Sequence, residues 1–256
     1  MVSGNPVEIR DEARRGFQAG AAAYERGRPG YPAGAIEWLG IELDLRRGRT
    51  VADVGAGTGK LTRELVASGA SVIAVEQVPG MRHVLERAVP GAQILDGTAE
   101  ALPLADDSID AITVAQAFHW FDVPRTLAEF HRVLRPGGRF AVIWNRRLRE
   151  QSLHQAIHEL TDPYRGNSPS HYDSGWRESI AADGRFAAAG ETRVPFEQEF
   201  DADGLVDRVG SISFIAALGD EERERVLGRV RALAIDAAAR PLRLGYSTEA
   251  YAYERT

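Results

Sequence analysis

Cysteine is absent from this 256-residue chain, which excludes disulfides, thiolate nucleophiles and cysteine-based metal sites together. Lysine is nearly absent: Lys60 stands alone, and the rest of the 31 basic residues are arginine. That bias points to a GC-rich coding sequence and so to an expected bacterial origin, and it is silent on chemistry. Also missing is any apolar run near the roughly 20 residues a membrane-spanning helix needs. The opening MVSGNPVEIRDEARRG is polar and lacks the apolar stretch of a secretion signal. The expectation is a cytoplasmic protein with no membrane partner and a flexible N-terminal tail over residues 1–16. An excess of positive charge is lacking too: the formal net charge is −6, and phosphate contacts need clustered cations. No nucleic-acid partner is expected, and a small-molecule partner is.

What the chain does contain, from about Thr50 onward, is an alternation of two periods. TVADV, SVIAVE, AQILD, IDAITVAQ and GRFAVIWN are short apolar runs, whereas KLTRELVAS, MRHVLERAV and VPRTLAEFHRVL repeat apolar residues every three or four positions. Near-continuously apolar strands are buried on both faces, so this rhythm predicts a mostly parallel sheet with helices on each side. RPGG before RFAVIWN supplies a helix stop and a turn. After Asn145 the rhythm gives way to two helices and a polar loop, then a strand-like ETRVPFEQEF, a helix around DEERERVLGRVRALA and a last alternating run LGYSTEAYAYER. The two late strands are expected to pair at an edge of the same sheet. There is no internal repeat.

In VADVGAGTGKLT a strand runs into glycines at 55, 57 and 59 and then into a helix. Glycine tolerates positive φ and has no side chain to hold a ligand away. A phosphate-binding P-loop would need glycine at Val54 and serine or threonine at Leu61, and has neither. A dinucleotide fingerprint wants its third glycine at Lys60, which disfavours a nicotinamide-dependent oxidoreductase and keeps it as the alternative. The third candidate has an acid before the loop and another at the end of the next strand, and Asp53 and Glu76 meet it.

At DVGAGTG the sequence resembles the class I S-adenosylmethionine-dependent methyltransferases. GTAEALPLADDSIDAITVAQAFHWF, EFHRVLRPGGRFAVIWN and YERGRPGYP resemble the type 11 group, and within it small-molecule enzymes similar to trans-aconitate methyltransferase. The resemblance implies a Rossmann-like, mostly parallel seven-stranded sheet with helices on both faces, an antiparallel edge strand and an inserted helical cap. Residues 17–147 would form the cofactor-binding core with an N-terminal lid, and 148–256 the acceptor-binding cap with the last strands. The implied cofactor is S-adenosylmethionine, with methyl transfer by in-line displacement to an oxygen, nitrogen or carboxylate.

Site residues follow from the same resemblance. Glu76 would accept hydrogen bonds from both ribose hydroxyls, the role an acid plays in dinucleotide folds. Asp53 would organise the methionine end directly or through water, with the amides of Gly55, Ala56, Gly57 and Gly59 beside it. Gln77 and Met81 extend the cofactor-binding set. Where resembling enzymes often carry Gly-Asp-Ala-Glu, this chain has Gly97-Thr98-Ala99-Glu100, so Thr98 brings no charge to the adenine while Ala99 and Leu102 still border it. Glu100 is either a cofactor contact or a helix-terminus carboxylate. Gln116 would border the methionine portion, and Arg28 the cofactor carboxylate, unless Arg28 is simply solvated. His119 is the candidate catalytic residue, a general base or an orienting group, beside Trp120; the alternative is a packed histidine. Tyr24, Tyr31, Trp120, Tyr172 and Trp176 are candidate acceptor contacts, joined by His154 and His171. YERGRPGYP and the stretch from Ser168 to Trp176 are expected to form a lid. His154 and His158 have the spacing of a zinc-protease helix, but Gln155 replaces its glutamate, so no metal is expected. A non-catalytic cofactor-binding protein is the other alternative.

Overall fold

The alternation is realised element by element in a computed structural model that describes residues 6–166, 168, 175–236 and 242–256. In chain order the elements are α1 (Pro6–Gly27), α2 (Ala33–Glu42), β1 (Thr50–Val54), α3 (Thr62–Ala67), β2 (Ser71–Val75), α4 (Pro79–Ala88), β3 (Gln93–Leu95) and β4 (Ile109–Ala115). There follow α5 (Val123–Val133), β5 (Leu134–Arg147), α6 (Ser152–Thr161), α7 (Trp176–Asp183), β6 (Phe186–Phe200), α8 (Ala202–Gly210), α9 (Ser213–Ala216), α10 (Asp220–Asp236) and β7 (Leu242–Arg255). Local chemistry sets several of these starts. Asp122 caps α5 by accepting from the Arg125 amide at 3.3 Å, and Asp201 caps α8 by accepting from the Gly204 amide at 2.7 Å. Pro79 opens α4, where its missing N–H costs nothing.

The seven strands form one sheet in the order β3-β2-β1-β4-β5-β7-β6. It is mixed and mostly parallel, with the antiparallel strand at the late-strand edge. Pairings β1–β2, β1–β4, β2–β3 and β4–β5 are all parallel, and Asp53 stands opposite both Ala74 and Thr113. Strand order reverses around β1 and β4, so their carboxyl ends open the crevice where such sheets bind ligands. The RPGG turn does not precede β5 as expected but lies within it: the pairing with β4 jumps between Ile109↔Leu134 and Ala111↔Arg139, leaving the turn as an irregularity with Gly137 at φ 72°. At the edge, β6 alternates partly buried and exposed positions from Gly190 on and turns its arginine and glutamates outward, which blunts edge pairing.

Two compact units divide the described residues. One comprises Met1–Pro29, Arg146–Ser168 and Pro195–Ser247; the other holds Gly30–Asn145, Pro169–Val194 and Thr248–Thr256. Each has its own buried core: Leu205, Val209, Ile215, Val226 and Tyr246 in the first, and Ile112, Val114, Phe118, Phe140 and Trp144 in the sheet unit. These units divide the chain at other points than the expected 1–16, 17–147 and 148–256. Helix α1 starts at Pro6, inside the stretch expected to be a tail, and belongs with the helical unit; Trp176–Val194 and Thr248–Thr256 belong with the sheet. Burial decides this, since Phe186, Tyr251 and Tyr253 pack on Phe140 and its neighbours. Within the sheet unit Asn145 donates to the Gly30 carbonyl at 2.8 Å and accepts from the Thr248 hydroxyl at 2.7 Å, joining three segments just where each leaves the unit.

The carboxyl end of β1 is tied down by Asp53, which is 0% exposed. Its two oxygens accept from the hydroxyls of Thr62, at the start of α3, and Thr113, on β4, at 2.7 and 2.9 Å. Burial nevertheless pushes the carboxyl up from 3.8 to about 6, the two hydroxyls opposing the shift and the Glu76 charge adding to it. A carboxyl whose folded pKa is raised binds its proton more tightly in the native state, so its contribution is full below the unfolded pKa and lost as pH rises through the folded one. Wild-type protein should therefore lose stability relative to Asp53→Asn between about pH 4 and 6, by up to about 3 kcal/mol. Urea titrations of both proteins across that range measure it. Parallel pH profiles would mean that Asp53 is not the titrating group.

Candidate active site

The carboxyl ends of β1, β2 and β4 gather most of the residues singled out in the sequence. Directly after β1 the chain turns through Gly55, Gly57 and Gly59 at φ 69°, 59° and 87°, a path that side chains rarely follow. The three glycines are required for different reasons. A Cβ added at Gly55 would lie 2.9 Å from the Ala117 Cβ, and one at Gly59 would lie 2.4 Å from Leu85 and 2.8 Å from Val89. These two let the loop pack on the chain after β4 and on the region of α4. At Gly57 an added Cβ would meet no protein atom within 4 Å, so packing does not explain its glycine. The loop is anchored by the amides of Gly55 and Ala56, both donating to the Val75 carbonyl at 2.9 and 3.2 Å.

Glu76, at the end of β2, is buried and faces this loop. Its carboxylate accepts from the Gly57 amide at 2.8 Å and the Val78 amide at 2.7 Å. Burial raises its pKa, and those amides and the Arg82 charge pull the other way. A carboxylate has about four lone-pair directions, so the amides of Gly57, Val78 and Gln77 do not exhaust its acceptor capacity. Gln77 is exposed, and Met81 is buried in α4. Arg82 donates to the Glu76 carbonyl at 2.7 Å and pairs with Asp96 at 2.8 Å, a brace that the sequence pattern did not single out.

After β3, Ala99 and Leu102 are buried and Thr98 and Ala101 form an isolated antiparallel bridge. One oxygen of the Glu100 carboxylate accepts from the Asp122 amide at 2.8 Å, at the cap of α5.

Beyond β4 the backbone is strained. Gln116 has φ 59°, unusual for a residue with a side chain, and its buried Nε2 has no hydrogen-bond partner among the described residues. A short 3-10 turn, Phe118–Trp120, then presents His119. The imidazole lies 4.8 Å from the Trp120 ring and 5.2 Å from that of Trp144. Phe118 is fully buried, 5.9 Å from Trp176, which also packs 6.3 Å from Trp144 and 5.4 Å from Tyr251. Trp176 is therefore a core aromatic, and Trp144, unnamed in the sequence reading, is its neighbour and that of His119; only folding brings the end of β5 to this turn. Tyr31 belongs to the sheet unit, partly buried beside Leu39 and Val51.

Tyr24, Arg28, His154 and His158 lie in the helical unit. Arg28 stacks over Tyr24 at 4.9 Å and donates to the Ser211 hydroxyl and carbonyl, so it is held rather than freely solvated. His154 is buried, with Nε2 2.9 Å from the Gly245 carbonyl. His171 and Tyr172, and most of the Ser168–Trp176 lid, lie outside the described residues. Among those described, no group of three or more histidines and carboxylates is placed to hold a metal ion, and no helix is long and apolar enough to cross a membrane.

The glycines make this geometry testable. Gly57→Ala should cost about 1 to 2 kcal/mol from the left-handed backbone alone and weaken adenosylhomocysteine binding by tenfold or more; Gly59→Ala should cost more stability, through its clash with Leu85 and Val89. Melting curves and calorimetric titration of both variants separate the two. Wild-type binding by a folded Gly57→Ala variant would remove this face of the loop from the site.

Comparison with known proteins agrees with the geometry. A family model described as a methyltransferase domain matches residues 52–142, from β1 into β5. An uncharacterized methyltransferase of Mycobacterium tuberculosis is 40% identical over 217 residues, covering 85% of this chain and 84% of its own. An uncharacterized methyltransferase-like protein of Schizosaccharomyces pombe is 34% identical over 211 residues, covering 82% of each. Among solved structures, one assigned as a type II methyltransferase from Anaeromyxobacter dehalogenans superposes with a TM-score of 0.66 at 28% identity, covering 88% of this chain and 97% of that one. With the glycine loop, its following acid and the seven-stranded sheet in place, the chain belongs to the class I S-adenosylmethionine-dependent methyltransferases.

Proposed function

We propose that the protein transfers the methyl group of S-adenosylmethionine to an oxygen, nitrogen or carboxylate of a small molecule by in-line displacement. The observation that carries this reading is the Glu76 carboxylate held against the Gly57 amide, on the one face of the loop where no side chain packs. Glu76 keeps lone pairs for the ribose hydroxyls. The buried Nε2 of Gln116 is a donor for the methionine portion, and the strain at its backbone is what aims it. Ala99 and Leu102 border the adenine, with Thr98 at the turn. Asp53 acts at one remove: its oxygens are sealed and engaged by Thr62 and Thr113, so it holds the loop in place. Glu100 likewise fixes the entry to α5.

Bound there, S-adenosylmethionine supplies a methyl group already activated on a sulfonium. The chain's own tasks are to align the acceptor and exclude water. His119, between the rings of Trp120 and Trp144, takes the proton of a hydroxyl or amine acceptor, or orients a carboxylate by hydrogen bonding. The nicotinamide alternative has against it Lys60 at the third glycine position, and the methyltransferase relatives.

Calorimetry should show adenosylmethionine and adenosylhomocysteine binding where NAD does not; the reverse result would sink the assignment. Glu76→Ala should weaken adenosylhomocysteine by about 10- to 100-fold, the worth of one or more charge-assisted hydrogen bonds. With an acceptor identified from a metabolite extract by methyl labelling, His119→Ala should cut turnover about 100- to 10,000-fold at nearly unchanged cofactor affinity if it is the base, and chiefly raise the acceptor KM if it orients. Wild-type turnover in that variant would remove His119 from the mechanism.

A further inference from the structure

Within the sheet unit, the turn from β2 into α4 is held to Glu76 by both its side chain and its backbone. The Glu76 carboxylate accepts from the Val78 amide at 2.7 Å, just ahead of Pro79 at the start of α4, and from the Gly57 amide at 2.8 Å. Arg82, one turn into the helix, reaches back and donates from Nη1 to the Glu76 carbonyl at 2.7 Å. The same nitrogen donates to the carboxylate of Asp96, directly after β3, at 2.8 Å. One guanidinium nitrogen thus joins α4, the end of β2 and the end of β3, and both of its hydrogens are used. The Arg82 side chain is 19% exposed and that of Asp96 70%. Water screens so exposed an acid, whereas the buried Glu76 meets the Arg82 charge through protein, where charges act more strongly.

A brace to a carbonyl does not by itself require an arginine, because any neutral N–H or O–H could donate to it. What arginine adds is a permanent charge. Burial raises the pKa of Glu76, while the Val78 and Gly57 amides and then the Arg82 charge hold it down. The other charged groups about this carboxylate do not share that task. Asp53 on β1 opposes its ionisation, Asp96 bonds to Arg82, and His83, the next residue on α4, is exposed. Ionisation matters here because a carboxylate is acceptor-only, whereas a protonated carboxyl turns one oxygen into a donor that two ribose hydroxyls cannot both use.

Resting on the reading in which Glu76 takes the ribose hydroxyls, we propose that Arg82 is a positioning residue for the cofactor, which fixes the Glu76 backbone and keeps its carboxylate ionised, and so sets the acid limit of S-adenosylmethionine binding. Arg82 acts through Glu76. Affinity falls as pH falls through the Glu76 pKa, and without the Arg82 charge that fall moves to higher pH.

Calorimetric titration of adenosylhomocysteine into wild type, Arg82→Gln and Arg82→Lys, at about pH 8 and about pH 5.5, tests this. The affinity lost in Arg82→Gln should be about tenfold larger at the acid end than at the alkaline end, the equivalent of one unit in the pKa of a carboxyl deprived of a nearby cation. Arg82→Lys, which keeps the charge, should recover most of the acid-side affinity. In a Glu76→Gln background, adding Arg82→Gln should bring no pH-dependent loss. A loss equal at both pH values marks a purely structural brace and overturns the proposal, as do an unchanged affinity, a lysine variant that behaves like the glutamine one, and a pH-dependent loss that persists without Glu76. If Arg82→Gln does not fold, Arg82→Met, which keeps the apolar stem, takes its place. Carboxyl-carbon NMR of glutamate-labelled protein reads the same relation with no ligand, the Glu76 signal being assigned by its disappearance in Glu76→Gln. Its titration midpoint should lie higher in Arg82→Gln than in wild type, and equal midpoints are fatal to the proposal. Failure of the wild type to bind adenosylhomocysteine strikes the cofactor reading instead, with the effect of Arg82 on Glu76 still read from the NMR titration.

Discussion

The sheet unit depends on one buried carboxylate. Asp53 joins the end of β1, the start of α3 and the middle of β4 through two threonine hydroxyls, and it does so with no exposure to solvent. Burying a carboxylate is costly, and two neutral hydroxyls offset only part of that cost, as its raised pKa records. What the cost secures is geometry. The loop of Gly55–Gly59 leaves β1 at a position set by Asp53, and Glu76 then meets the Gly57 amide from the neighbouring strand. Displacement at this node would move the side of the loop that no side chain covers.

The same economy of roles runs through the site. Two of the three glycines serve packing, against Ala117 and against Leu85 and Val89, and the third serves the face left open. Of the acids, Asp53 and Glu100 hold backbone and elements in place, while Glu76 alone combines anchoring with spare acceptor capacity. Strain is concentrated at Gln116, between the end of β4 and the turn bearing His119, where a regular backbone would point the side chain elsewhere. In the proposed function, cofactor recognition and acceptor alignment share this irregular stretch of chain.

Charge is handled differently in the two units. In the sheet unit the buried charges at the site are carboxylates met by hydroxyls and amides. In the helical unit Arg28 and Arg208 are met by a hydroxyl, a carbonyl and a phenol.

Much of this was legible in the residues themselves. Period, glycine spacing and the acids flanking them are local properties, and local properties determined the sheet, the loop and the family, because a strand buried on both faces and a glycine forced to positive φ leave marks at fixed offsets. The choice between readings of one side chain was not local. Whether Glu100 reaches the Asp122 amide, whether Arg28 is solvated or bound to Ser211, and whether Trp144 stands beside His119 depend on partners 22, 183 and 25 positions away. Sequence alone therefore determined which chemistry the chain carries and where its loop lies. Tertiary structure decided which polar groups are already satisfied within the protein, since hydrogen bonds between distant segments exist only once burial has brought those segments together.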